Sequence, residues 1–181
     1  MKIVLNFVFF QLCWVACVWG GAQGYWWLGP AAVLAFLCWE LLVSHNPVDD
    51  LKLVAVVAVI GLLVDSGYVM AGLMQFATPI PSSELAPIWI VAMWVSFALT
   101  LNHSMAWLKG KETTAVVFGA LGGPFAYWIA WAAWDAVEFT GPLAVVLGVV
   151  GVVWAVATPL LLRLADMLHN VPQAEASLAT E

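Results

Sequence analysis

Residues 52–74, KLVAVVAVIGLLVDSGYVMAGLM, decide the fold class. At about 1.5 Å of rise per residue, a helical run of this length crosses a hydrocarbon layer of roughly 30 Å. It contains a single internal acid, Asp65, and lacks the polar–apolar alternation that a membrane β-strand requires. Five similar runs flank it, at 3–20, 26–44, 85–108, 113–134 and 141–165. Together the six predict an all-α, polytopic membrane protein with six transmembrane helices.

Composition points the same way. The chain has 181 residues, 65% apolar and 9% charged, with a mean hydropathy of +1.01. Soluble domains carry about 25% charged residues, so this surface is not built for water. The formal charge of -6 leaves no basic footprint for nucleic acid. Soluble enzymes, nucleic-acid binders and secreted disulfide scaffolds are thereby excluded. Cys13, Cys17 and Cys38 all fall inside apolar runs, where a thiol acts as a small hydrophobe. Neither a metal site nor a cofactor is expected. A six-helix transmembrane domain over 1–170 is followed by a short polar cytoplasmic tail, 171–181.

Breakers separate the runs: Gly20-Gly21, His45-Asn46-Pro47, Pro79 with Pro81, Lys109-Gly110-Lys111 and Gly141-Pro142. Asp50, Ser83 and Thr113 read as helix N-caps. With six spans, Lys2, Lys52, Lys109, Lys111 and Arg163 fall on one side, while the first, third and fifth loops carry no Lys or Arg. The positive-inside rule then puts both termini in the cytoplasm, as a multi-pass protein of the bacterial inner (cytoplasmic) membrane.

Polar residues inside the runs are the candidates for function, because an ionisable group at mid-bilayer costs about 2.5–3.5 kcal/mol. Converting position to depth puts Asn6, Glu40, Asn102 and His103 within roughly 10 Å of the cytoplasmic ends of their spans. Gln11 and Asp65 lie near mid-depth, with Tyr127 somewhat further out. Glu40 is level with His103, and a buried carboxylate beside an imidazole suits acid–base or proton-relay chemistry. In an enzyme His103 would be the general acid or base, Glu40 its orienting partner and Asn102 a donor to a substrate oxygen. Against this, Glu40 could bend to the interface while His103 caps a backbone carbonyl. Asp65 has no base at its depth, so its expected partners are Gln11, Ser66 or Tyr127, and it serves as a proton or head-group site or as helix glue. His45 with Asp49 and Asp50 reads as a capped turn.

Two features concern packing. Ala115, Gly119 and Gly123 form small-xxx-small steps that let another helix approach closely. Gly122-Gly123-Pro124 predicts a kink in the fifth span with freed carbonyls. In the fourth span, Trp89, Met93, Ser96, Thr100, His103 and Trp107 follow helical spacing and predict one inward stripe.

Several of these residues carry a family resemblance. Asn6-Phe7 with Gln11 and Trp14, Leu63-Val64-Asp65-Ser66, Thr100-Leu101-Asn102-His103-Ser104, and Gly122-Gly123-Pro124 with Ala126-Tyr127 are the marks. Over about 1–165 the chain resembles the bacterial membrane family catalogued as Domain of Unknown Function 2878. The resemblance implies a small inner-membrane protein and transfers no catalytic role.

The reading that follows is an intramembrane polar pocket that binds or modifies a lipid-like molecule. One rival is a proton-coupled carrier of a small or amphipathic solute, with Asp65 as the proton site. Another is a non-catalytic subunit that docks through the Gly119/Gly123 face. Expected partners are membrane lipids, with another membrane protein or a second copy as further candidates.

Overall fold

The computed structural model describes residues 1–178, with side chains through His169. Six helices follow in chain order: α1 (Lys2–Ala22), α2 (Leu28–Val43), α3 (Pro47–Met70), α4 (Ile88–Leu101), α5 (Glu112–Trp134) and α6 (Leu143–Leu178). Four of them, α1, α3, α5 and the part of α6 over Leu143–His169, are long and apolar enough to cross a bilayer. The chain is a helical membrane protein. The other two are shorter: α2 has 16 residues and α4 has 14, about 24 and 21 Å. The polar tail, 171–181, falls wholly beyond the described side chains.

The apolar character of α4 dictates its place. Trp89, Ile90, Ala92, Trp94 and residues 96–101 are all buried, as a helix apolar on every side must be. Around it stand α1, α2 and α3. Inside α4, the Ser96 and Thr100 hydroxyls donate to the carbonyls of Met93 and Phe97, at 2.8 and 2.6 Å, so neither needs an outside partner.

A second unit is the α5–α6 pair, the most extensive helix contact in the chain. Its closeness comes from glycine. A Cβ on Gly119 would overlap the Trp154 carbonyl of α6, and one on Gly123 would overlap the Trp154 ring. The Gly119/Gly123 face is therefore filled by this chain's own last helix, not left open to a partner. Pro124 sits within a continuous α5. The carbonyl it deprives of a donor, that of Ala120, lies against Gly151, where a Cβ would stand 3.1 Å away.

A short antiparallel ribbon stitches the two units together at one end. Its strands, β1 (Met74–Phe76) and β2 (Val137–Phe139), pair Met74 with Phe139 and Phe76 with Val137. At this ribbon end Thr78 donates to the Gly21 carbonyl at 2.7 Å, and the Trp89 indole to Ala77 at 3.0 Å. The opposite, polar end holds the start of α1 beside the end of α2, where Lys2 Nζ donates to the Val43 carbonyl. Arg163 of α6 meets Glu112 at the start of α5 there.

Three sequence expectations need correction. The fourth run does not stay helical to 108: α4 stops at Leu101, and 102–108 form turns ending in a 3-10 segment, Ala106–Leu108. His103 and Trp107 thus leave the inward stripe, and Trp107 is exposed. The third helix starts at Pro47, not 52, because proline lacks the N–H that the first helical position would leave unpaired. Finally, Asn46, Pro87 and Lys111 occupy the N-cap positions assigned to Asp50, Ser83 and Thr113.

Candidate functional site

Where α4 ends, its last carbonyls and the next N–H groups need partners. Asn6 of α1 supplies them. Its Nδ2 donates to the Leu99 carbonyl at 2.9 Å, and its Oδ1 accepts from the Ser104 N–H at 3.3 Å. The remaining Nδ2 proton goes to Glu40 Oε2 at 2.7 Å. One buried amide thereby holds open the turn that carries Asn102, His103 and Ser104.

His103 lies between two carboxyl groups. Its Nδ1 is 3.2 Å from Glu40 Oε1, and its Nε2 is 3.2 Å from Asp50 Oδ2. Both acids are buried, whereas His103 is 22% exposed. A neutral imidazole has one N–H and can donate to only one of them. The hydrogen bond is with Asp50, while Glu40 stands 3.2 Å from the other ring nitrogen without one.

Asp50 is held from further sides. It accepts from Asn102 Nδ2 at 2.8 Å and from Ser44 Oγ at 2.5 Å. Lys109 Nζ donates to Asn102 Oδ1 at 2.9 Å and reaches Asp166 of α6 at 3.6 Å. The cluster therefore joins four helices and the 102–109 turn. Glu40 does not bend toward the interface, and His103 faces carboxyls instead of a carbonyl.

Asp65 forms a separate site. It is fully buried, accepting from Trp94 Nε1 at 2.5 Å and from the Tyr127 hydroxyl. Of its expected partners only Tyr127 bonds to it. The Ser66 hydroxyl instead accepts from the Ala86 N–H at 3.0 Å. Gln11 is exposed and stands elsewhere, in the wall of a cleft.

That cleft, about 300 Å³, lies between α1 and α5, with α4 and α6 as its floor. The two wall helices barely touch each other. Toward the ribbon end the rings of Trp14 and Trp134 close the gap, their centroids 5.6 Å apart. Toward the polar end Phe7 and Phe118, which both line the cleft, are exposed. Its foot is formed by Thr100, Ser104 and Met105, so the cleft ends one residue from His103. Tyr127 lines it too, which puts Asp65 one hydrogen bond behind the wall.

The sequence reading missed Asp50, Ser44, Lys109 and Trp94. Depth arithmetic could have found Asp50, since it lies level with Glu40 and His103 once α3 is started at Pro47. Trp94 offered only its indole N–H, which a buried carboxyl at equal depth can use.

These features define a class: a small helical membrane protein with a carboxylate–histidine–carboxylate cluster at one end and an apolar cleft beside it. Residues 3–160 match the family described as "Protein of unknown function (DUF2878)", and the chain belongs to that family. No curated protein and no solved structure matches it.

Proposed function

We propose that the protein is a multi-pass component of the bacterial inner membrane that holds one lipid-like molecule in the cleft between α1 and α5. The observation that carries this reading is the cleft itself. Its volume is that of a small-molecule site, and its wall is mostly apolar and aromatic, with Phe7 and Phe118 exposed among the lining residues. A membrane lipid reaches such a site sideways without crossing water. Both termini lie in the cytoplasm, on the argument that Lys2, Lys52, Lys109, Lys111 and Arg163 belong to the polar end.

A second reading adds chemistry, and the place of His103 between two buried carboxyl groups favours it. A ligand whose tail fills the cleft has its head beside residues 102–105. There His103 serves as general acid or base toward a head-group oxygen, with Glu40 and Asp50 orienting the ring.

Lipid extraction from the purified protein, followed by mass spectrometry, tests the first reading. A defined lipid at near-equal stoichiometry is expected, and a plain sample of the bulk membrane would sink it. Lipid profiles of a deletion strain complemented with His103→Ala or Glu40→Gln test the second. If both variants restore the wild-type profile, the cluster has no chemical role.

A further inference from the structure

The cleft has a chemical bias that narrows its occupant. Among the described residues no Lys, Arg, His, Asp or Glu lines it. Phosphate, carboxylate or ammonium inside it would lose water and find no counter-charge, a cost of several kcal/mol. Yet the wall is not fully satisfied. Thr158 of α6 is 1% exposed, lines the cleft, and its hydroxyl has no hydrogen-bond partner among the described residues. The Ser104 hydroxyl, at the foot of the same cleft, is likewise buried without a partner. The Trp154 indole N–H, in the same lining, is unpaired as well. A buried polar group left unpaired costs about 1–3 kcal/mol, so three along one cleft call for something to pair with.

Both hydroxyls belong to the polar-end half. Thr158 is five residues before Arg163, about 7.5 Å along α6. Ser104 lies in the turn beyond α4. The aromatic rings of Trp14 and Tyr127 line the half nearer the ribbon. The unpaired hydroxyls thus stand at one end of the cleft, while rings line its whole length.

Resting on the lipid reading above, we infer that the occupant is an uncharged lipid with an oxygen on its head, an alcohol or a carbonyl compound, and not a phospholipid. Its head oxygen meets Thr158 and Ser104, and its hydrocarbon runs toward Trp14.

The test uses the full chain in phosphatidylcholine nanodiscs and three probes of one skeleton: farnesol, farnesyl phosphate and farnesene. Indole fluorescence reports binding, since Trp14, Trp94 and Trp154 line the cleft. The signal from Gly122→Leu, whose side chain enters the cleft, is subtracted as bilayer background. Farnesol is expected to bind at least tenfold more tightly than farnesyl phosphate. Thr158→Val should weaken farnesol about three- to tenfold, the worth of one hydrogen bond, and leave farnesene unchanged. Thr158→Ser should restore farnesol binding. Equal binding of farnesyl phosphate overturns the inference and leaves the lipid cleft standing. Equal weakening of farnesol and farnesene by Thr158→Val also overturns it, since Thr158 then acts through shape. If no probe exceeds the Gly122→Leu background, the lipid reading falls with it.

Discussion

Gly61 of α3 lies directly against the indole of Trp94 on α4, so close that a Cβ at 61 would overlap the ring. One turn further along α3, Asp65 takes the N–H of the same indole. The flat ring is held on its face and its edge at once. Gly61→Ala should therefore destabilise the protein by about 1–3 kcal/mol, the usual penalty for overpacking. Gly67, exposed on the same helix with nothing near its Cβ position, is the control. Gly67→Ala should be neutral or raise stability by up to about 1 kcal/mol. Thermal unfolding in detergent distinguishes the two.

Asp65 faces two donors and, among the described residues, no base, so what the site requires at this position is an acceptor for each. Asparagine supplies one acceptor to Trp94 and can donate to the Tyr127 oxygen, because a hydroxyl accepts as well as donates. Asp65→Asn is expected to fold with a loss of about 1 kcal/mol. Asp65→Leu leaves both donors orphaned and should cost about 1–3 kcal/mol for each. If both variants unfold at the same temperature, the hydrogen bonds do not hold this site together.

Adjacent glycines on α5 should behave oppositely. A Cβ on Gly122 meets only Phe118 Cε1, at 3.9 Å, whereas one on Gly123 runs into Trp154. Gly122→Leu should keep the fold, gaining up to about 1 kcal/mol of helix propensity, and lose any bound lipid. Gly123→Leu should separate α5 from α6 and lower the yield of folded protein. Size-exclusion profiles and lipid analysis of both variants give the answer.

The cluster around His103 predicts non-additivity. Removing the ring leaves two buried carboxyl groups, Glu40 and Asp50, without the imidazole that stands between them. His103→Ala is expected to cost about 3 kcal/mol or more, and Glu40→Gln alone about 1–2 kcal/mol. Combined, they should cost less than their sum, by about 1–3 kcal/mol, since one carboxylate has gone. Additive losses in a double-mutant cycle of unfolding would show that the three side chains act independently.

Hydropathy made the helices legible in the sequence, and depth arithmetic put Asn6, Glu40, Asn102 and His103 at one level. Direction was harder to read. The run 85–108 is apolar almost throughout, so nothing in its period marked Leu101 as the last helical residue. The stop is imposed by Asn6, a side chain nearly a hundred positions away that takes over the Ser104 N–H. Asp50 was hidden for a related reason: a carboxylate in a helix's first turn has an ordinary local explanation as a cap, and only the tertiary fold turns it toward His103. The ribbon was beyond reach. Strands of three residues are too short to show alternation, and their pairing joins the third connection to the fifth.

That ribbon is one of two ties between the α5–α6 pair and the other four helices. At the opposite end Lys109 reaches Asp166 of α6, and the Asn46 amide lies 3.3 Å from the His169 ring. With its 23 residues α5 is about 35 Å long, and its first residue, Glu112, follows Lys109 by only three positions. Moored at both ends, the α5–α6 pair cannot swing away about either tie alone.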